Sequence, residues 1–302
     1  MIQRSKQTKK ITMNKRTEKI KTSFRLALAF YLFTVVSLFQ ACSDENQINK
    51  ASGSSEFEAY SDDIDVDSNF EDIEDLSTAA MDYDFNATGG RSERDARFDC
   101  ATLTESTDGN VRVITIDFGD GCEGPNGRVR KGKIVISISG DHREIGATHT
   151  TELVNFYIDE LHIEGKSVKT NISESVDSAP KFSIALTNGK ITWSDGSYAT
   201  REAEHTRTIY KSNDSSDDEM LLEGTVSGVN KESVQYQVDI IEPLVFKRSC
   251  MGKIPVSGTK GYTVNDELAT IDFGDGACDN LATVTKDGVI TEIEIKFRRR
   301  RK

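Results

Sequence analysis

Long apolar runs and catalytic motifs are missing from this 302-residue sequence. Its longest apolar stretch, residues 26–39, has 14 residues, fewer than the roughly 20 that a membrane-spanning helix needs. The sequence has no Gly-x-Ser-x-Gly elbow, phosphate-binding loop or dinucleotide fingerprint, and its histidines do not fall at metal-binding spacings: His142, His149, His162 and His205. We therefore expect no permanent transmembrane helix, no cofactor and no enzymatic activity.

Basic residues are also scarce beyond the N-terminus. The first 25 residues hold nine Lys/Arg and one acid, so the remaining 261 residues from Cys42 onward hold 29 bases and 49 acids, a net charge of −20. Nucleic acids bind basic surfaces. The charge of the chain therefore argues against a nucleic-acid partner.

The N-terminal segment has the layout of an export signal. A basic region leads into the apolar residues 26–39, which end just before Ala41 and Cys42. The run Leu38-Phe39-Gln40-Ala41-Cys42 resembles a bacterial lipoprotein box, and the alternative is a plain secretory signal with a chance cysteine. The resemblance implies that residues 1–41 are a lipoprotein signal peptide and that Cys42 carries the lipid anchor, which holds the protein at a membrane.

The residues after Cys42 indicate where the protein would be displayed. Ser43-Asp44-Glu45-Asn46 resembles the acidic start of surface-exported lipoproteins in the Bacteroidota. The resemblance implies an outer-membrane lipoprotein that is either surface-exposed or periplasmic.

A repeated motif organises the other four cysteines. Residues 115–122 (TIDFGDGC) recur as 270–278 (TIDFGDGAC), and each copy has one more cysteine upstream. An even number of cysteines in an exported chain favours disulfides. If the copies are equivalent, Cys100 pairs with Cys122 and Cys250 with Cys278, whereas pairing across copies would require the repeats to lie side by side.

The DFGDG element allows several interpretations. It resembles the Asp-Phe-Gly of protein kinases and the turn of PKD-type immunoglobulin-like domains, but the companion motifs of both are missing. Its aspartates could bind calcium, or they could bond the backbone of a tight glycine turn at the end of a strand. We favour the turn.

The longer pattern resembles a family of Bacteroidota lipoproteins. In that family a DFG-x-G-C element is followed by a run that here is Gly127-Arg128-Val129-Arg130-Lys131-Gly132-Lys133-Ile134. The resemblance covers roughly Cys100 to the end of the chain. It implies an all-β lipoprotein and carries no activity or site residues.

Residues 42–96 are predicted to form an acidic tether. Residues 43–90 contain 14 acids and one base, a composition typical of unfolded linkers. Apolar residues at helical spacing predict a short helix over residues 69–84. Asp63, Asp65, Asp67 and Glu74 also match calcium positions of an EF-hand loop, with Asn69 and Glu71 between them, although Ser68 stands where the loop requires glycine. They are therefore weak calcium candidates.

Residues 97–302 are predicted to form a single antiparallel β domain, with one repeat near each end. Apolar and polar residues alternate in many short segments, as in Ile134/Ile136/Ile138. Turn pairs such as Asp108-Gly109 and Asp287-Gly288 separate them. The expected fold class is all-β, a multi-stranded sandwich or an open half-barrel. The only tryptophan, Trp193, precedes one turn, where we expect it to pack against the sheet.

The sequence favours a lipid-anchored envelope protein whose β domain is non-catalytic and binds a glycan or protein, or serves structurally. Two alternatives remain open at this point. One is a carbohydrate-active enzyme that uses a pair of carboxylates, and the other is a calcium-dependent adhesion module.

Overall fold

The computed structural model describes residues 55–83, 85, 95–125, 127–141, 144–250 and 254–295. The signal peptide, Cys42 and the C-terminal bases lie outside these residues. The described chain begins with one α-helix, α1 (Ser55–Met81), and short 3₁₀ turns lie at Ala96–Phe98, Ser215–Asp217 and Arg248–Cys250. The strands are β1 (Thr102–Asp108), β2 (Val111–Asp117), β3 (Cys122–Glu123), β4 (Val129–Ser139), β5 (Thr148–Ile158), β6 (Leu161–Asn171), β7 (Lys181–Thr192), β8 (Tyr198–Tyr210), β9 (Glu219–Val229), β10 (Gln235–Lys247), β11 (Ser257–Val264), β12 (Glu267–Asp275), β13 (Leu281–Lys286) and β14 (Val289–Glu294).

All 14 strands belong to one antiparallel sheet in which each strand pairs with the next along the chain. The short β3 is the exception, since it pairs with β4 beside the main path. The order leaves β1 and β14 at the two edges. The predicted antiparallel all-β fold is confirmed, and it takes the form of one open sheet.

Turn chemistry explains the repeated reversals of direction. Asp287 and Gly288 both have positive φ, 51° and 77°, between β13 and β14, which matches the twist of a two-residue hairpin. Asn265 and Asp266 also have positive φ, 51° and 64°, between β11 and β12. The sequence prediction of a turn at Asp287-Gly288 is therefore confirmed.

Irregular pairing bends the sheet. The register shifts in seven strand pairs, from β4–β5 to β11–β12, and such bulges increase local twist and bending. At Gly132, where φ is 77°, a Cβ atom would lie 2.0 Å from the Asn155 carbonyl oxygen. Glycine therefore permits the close approach of β4 and β5 at their bulge.

The helix α1 lies inside the curve of this sheet. Of its described side chains, Tyr60 and residues 62–81, only Asp75 is exposed. Asp63 contacts Arg201 of β8 and Lys260 of β11, whereas Asp72 contacts Arg130 of β4. Nine residues are about 2.5 helical turns, so these two carboxylates leave opposite sides of the helix. The sheet therefore curves around α1.

Two apolar clusters complete the interior. One joins Tyr60 and Ile64 to strands β7 to β14, and the other joins Ile73, Leu76 and Ala80 to strands β2 to β7. Phe70 packs against both clusters. The helix thus forms the centre of a continuous core.

The structure differs here from the predicted tether. The predicted helix is present but begins earlier, at Ser55, and ends at Met81, and Tyr60 and residues 62–81 pack within the β domain. The acidic composition was misleading because the partners of the carboxylates lie 58 to 197 residues away in sequence. Residues 43–54 and most of residues 84–94 lie outside the described part.

The sheet has two ends, which we name by a residue at each. The Trp193 rim comprises the turns at residues 159–160, 193–197, 230–234 and 265–266, and the Tyr210 rim comprises residues 140–141, 144–147, 172–180 and 211–218. The first repeat ends β2 at the Trp193 rim, where the Asp159 amide donates to the Val129 carbonyl. The second ends β12 at the Tyr210 rim, where the Arg248 amide donates to the Asp218 carbonyl. The repeats therefore lie at opposite ends of the sheet.

Candidate functional site

The two repeats have a disulfide and an aspartate–amide hydrogen bond in common. Disulfides join Cys100 to Cys122 and Cys250 to Cys278, which is the pairing within each copy that the repeat predicts. The Asp117 carboxylate accepts a hydrogen bond from the Gly119 amide at 2.9 Å, and Asp272 accepts one from Gly274 at 2.8 Å. In the first copy Asp117 ends β2 and its bond closes a tight turn, as we expected. In the second copy β12 continues through Asp275, so the bond of Asp272 lies within the strand and the predicted turn is wrong there.

The calcium candidates do not form a loop. Asp63, Asp65, Asp67 and Glu74 lie on the α-helix, and Asp63, Asp67 and Glu74 are each paired with a basic side chain of the sheet. A calcium loop needs its oxygens to converge on one cation, whereas Asp63 and Asp67 share Lys260 and Glu74 pairs separately with Lys169. Among the described residues, no group of three or more His, Cys, Asp or Glu could hold a metal ion.

Basic side chains on the inner face of the sheet meet the acids of α1. Six of them contact polar side chains of the helix, namely Arg128, Arg130, Lys169, Arg201, Arg207 and Lys260. We call this set the inner cations. The side chains of all but Arg128 are at most 6% exposed. This charged interior is the most unusual chemical feature of the described chain.

Two acids and two bases form the group nearest the start of α1. The Lys260 Nζ atom lies 2.6 Å from Asp63 and 3.0 Å from Asp67, and the Arg201 guanidinium contacts both carboxylates. Burial raises the pKa of Asp67, but Arg201 and Lys260 more than offset this and hold the pKa below its usual value. Asp67, whose side chain is 31% exposed, therefore stays ionised beside these two bases.

Two further acids meet basic residues of β6 and β8. Glu74 lies 3.0 Å from the Lys169 Nζ atom, which also sits 4.7 Å above the Phe182 ring. Burial raises the pKa of Glu74, and Lys169 and Arg207 outweigh it, so the net pKa is lowered. Glu71 pairs with Arg207, yet burial is the stronger influence there and raises its pKa.

Asp72 lies on the opposite side of the helix and pairs with Arg130. Its Oδ2 atom lies 2.5 Å from Arg130 Nη2 and 3.8 Å from Arg128 Nη1. The Asp72 and Arg130 side chains are 0% and 1% exposed. Removing one partner of such a pair leaves an uncompensated buried charge. The ion pairs therefore fix where α1 lies along the sheet more than they add to net stability.

A cavity lies between α1 and strands β5 to β8. Its volume is about 50 Å³, and it is lined by Phe70, Glu71, Ile184, His205 and Arg207, among others. A water molecule needs about 10 to 15 Å³ by this measure, so the cavity has room for a few waters. The Arg207 Nε atom is buried and has no hydrogen-bond partner within the described part of the chain. Water in the cavity would satisfy it.

A smaller cavity of about 20 Å³ lies at the Trp193 rim between Asp62, Trp193, Lys231 and Tyr262. The Lys231 Nζ atom lies 5.0 Å from the Trp193 ring centroid. Trp193 is partly buried and packs against the core cluster of β2 to β7. It anchors the sheet at this end, as predicted.

The sequence interpretation missed the inner cations. A signal was present, because Arg201 alternates with Ala199 and Ala203 on β8, at positions where a buried apolar residue is expected. A base whose side chain points into the core predicts a buried acid that pairs with it. The sequence could not say that the acid came from the N-terminal segment.

No helix among the described residues is long and apolar enough to cross a membrane. The two disulfides are typical of proteins that fold outside the cytoplasm.

The search for relatives gave no assignment. No family model matches the chain, and comparison with the curated proteins and with the solved structures found no match.

Proposed function

We propose that this chain is a lipid-anchored cell-envelope protein whose β domain is non-catalytic and acts structurally or binds a partner. The lipoprotein box that ends at Cys42 supports the anchor. The two disulfides are consistent with an exported protein. We place it at the outer membrane, either exposed at the surface or facing the periplasm, and its partner would be a glycan or a protein.

One observation carries the non-catalytic part of the proposal. The concave face of the sheet, where a ligand would be most enclosed, is filled by α1, whose acids meet the inner cations. The space left beside the helix is about 50 Å³, whereas sites for small-molecule ligands are typically about 300 to 1,000 Å³. This arrangement favours binding through the outer surface of the sheet.

Membrane fractionation tests the anchor. The wild-type protein and a Ser43→Ala control should both float with membranes, whereas Cys42→Ser should remain in the soluble fraction. Retention of Cys42→Ser in membranes at the wild-type level would show that Cys42 is not the anchor.

Incubation with polysaccharides tests the absence of catalysis. We expect the purified protein to release no reducing ends from a panel of bacterial and plant glycans. Release that persists through repurification and is lost on replacing one pair of carboxylates would establish the glycan-degrading alternative instead.

Titration with millimolar calcium in a calorimeter should give no heat of binding, and a saturable heat would support calcium-dependent adhesion.

A further inference from the structure

Few residues separate the proposed anchor from the first described residue. Cys42 and Ser55, the first residue of α1, are 13 residues apart. A fully extended chain rises by at most about 3.6 Å per residue, so this connection spans no more than about 47 Å. A tether that reached to residue 97 would span up to about 200 Å by the same rule. The folded position of α1 therefore shortens the reach of the domain about fourfold.

The connection enters the domain at one end of the sheet. Tyr60, in the second turn of α1, packs edge-on against Tyr262 with ring centroids 5.2 Å apart. Asp62 and Asp63 line the small cavity that also contacts Trp193 and Lys231. These contacts place the start of α1 at the Trp193 rim.

The length of the sheet limits how the domain can stand on a membrane. The strand β8 has 13 residues, and at about 3.3 Å per residue it is about 43 Å long. The connection from Cys42 to Ser55 reaches at most about 47 Å. Turning the Tyr210 rim toward the bilayer would therefore require a connection stretched almost to its limit.

Two aromatic–lysine pairs at the Trp193 rim are of the kind found at membrane interfaces. Lys231 lies over the Trp193 ring, and Lys190 lies 5.1 Å from the ring centroid of Tyr198, which is 45% exposed. Tryptophan and tyrosine are enriched at membrane interfaces, and lysine stems extend along such surfaces. Against one base, Lys231, the turns of the rim also hold five acids, namely Asp159, Glu160, Asp195, Glu232 and Asp266. The rim is therefore acidic, and the anchor with the aromatic side chains, not attraction to anionic lipid, would hold it at the bilayer.

We propose that the Trp193 rim is a membrane-facing surface that rests against the bilayer in which the Cys42 anchor is held. This inference relies on the lipid anchor proposed above. It places the Tyr210 rim away from the lipid. The exposed side chains of Ile145, Val176 and Tyr210 are then presented to the solvent side of the membrane.

Energy transfer from tryptophan to a lipid-borne acceptor tests this orientation. Trp193 is the only tryptophan in the chain, so its emission reports one end of the sheet without further labelling. The lipidated full-length mature protein would be placed in vesicles of phosphatidylethanolamine and phosphatidylglycerol that carry a small fraction of dansyl-phosphatidylethanolamine. A matched variant, Trp193→Phe with Tyr210→Trp, moves the single donor to the other rim.

We expect transfer from Trp193 to be several-fold more efficient than transfer from the tryptophan at position 210. Equal transfer from both positions, or stronger transfer from position 210, would overturn the orientation. If the double variant fails to fold, a second variant tests the orientation. Inserting 20 Gly/Ser residues after Gln47, outside the described part, should leave folding intact and lower transfer from Trp193, and unchanged transfer would count against the role of the short connection. Protein that does not float with the vesicles would contradict the anchor itself, which separates the two failures.

Discussion

Asp72 of α1 and Arg130 of β4 form an ion pair that is closed to solvent on both sides. Asp72 Oδ2 lies 2.5 Å from Arg130 Nη2, and the side chains are 0% and 1% exposed. Arg128 lies close to the same carboxylate, at 3.8 Å. The pair therefore depends on the helix being inside the sheet, and it offers a direct way to probe that arrangement.

Replacing Asp72 by Asn should destabilise the protein strongly. The change leaves two guanidinium groups near an uncharged amide, and breaking a buried ion pair from one side costs about 3 to 5 kcal/mol. The free energy of unfolding in urea measures the effect. Glu152→Gln is the matched control, because its partner Lys166 and Glu152 itself are about half exposed, and such pairs contribute about 1 kcal/mol or less. Equal effects of the two substitutions would contradict the burial of Asp72.

The stability of the protein should fall as the pH is lowered from 6.5 to 4. Burial and then the charge of Arg201 lower the pKa of His205 from 6.5 to about 4, and Arg207 and Lys260 act in the same direction against Asp67. Between these values the unfolded chain binds a proton that the folded chain does not, so the free energy of unfolding decreases with falling pH. The shift corresponds to about 3 kcal/mol at most.

Urea unfolding at several pH values tests this dependence. His205→Gln should remove most of the decrease between pH 6.5 and pH 4. His162→Gln, at a partly exposed position on β6, is the control and should retain it. If the two variants keep the same slope, His205 is not the group responsible.

The two disulfides should contribute similarly to stability. They close loops of 22 and 28 residues, and the chain-entropy account gives about 3 kcal/mol for loops of this size. Replacing Cys100 and Cys122 together by serine should therefore lower the free energy of unfolding about as much as replacing Cys250 and Cys278. Peptide mapping without reduction should recover the pairs within each repeat, and peptides that link Cys100 to Cys250 or Cys278 would refute the equivalence of the repeats.

Removing α1 should abolish cooperative folding of the sheet. A soluble chain of residues 84–302 would expose the inner cations together with the apolar faces that pack on Ile73 and Leu76. A chain of residues 55–302, which lacks only the segment before the helix, is the control. We expect it to unfold with the same urea midpoint as the mature protein. The chain of residues 84–302 should instead aggregate, or unfold gradually in urea without a cooperative transition. A cooperative transition of the shorter chain at the control midpoint would show that the helix is dispensable.

Much of the sheet could be predicted from local patterns, because alternation and turn residues act over a few positions. Ile134, Ile136 and Ile138 indicated β4, and Asp287-Gly288 indicated the last hairpin, as the structure confirms. The equivalence of the two repeats also gave the disulfide pairing. These features depend on neighbours or on an internal copy that the sequence itself displays.

The role of α1 could not be predicted in the same way. Apolar spacing indicated its C-terminal half, where Ile73 and Leu76 are buried. Its carboxylates, such as Asp63, point to the surrounding sheet and pair with bases far along the chain, so no local charge pattern shows that they are buried. The curvature that encloses the helix results from bulges spread over many strands, for instance at Gly132. Both features arise from long-range packing, which periodicity does not report.

Hydrogen exchange of the backbone amides in α1 tests the enclosure of the helix most directly in the intact protein. A helix at the centre of the core exchanges only when the whole domain unfolds. We therefore predict that the amides of residues 62–80 exchange as slowly as the buried amides of β4 and β8. Exchange of the helix amides at the rate of an unfolded chain, while the sheet stays protected, would contradict the burial of α1 and support an acidic tether instead.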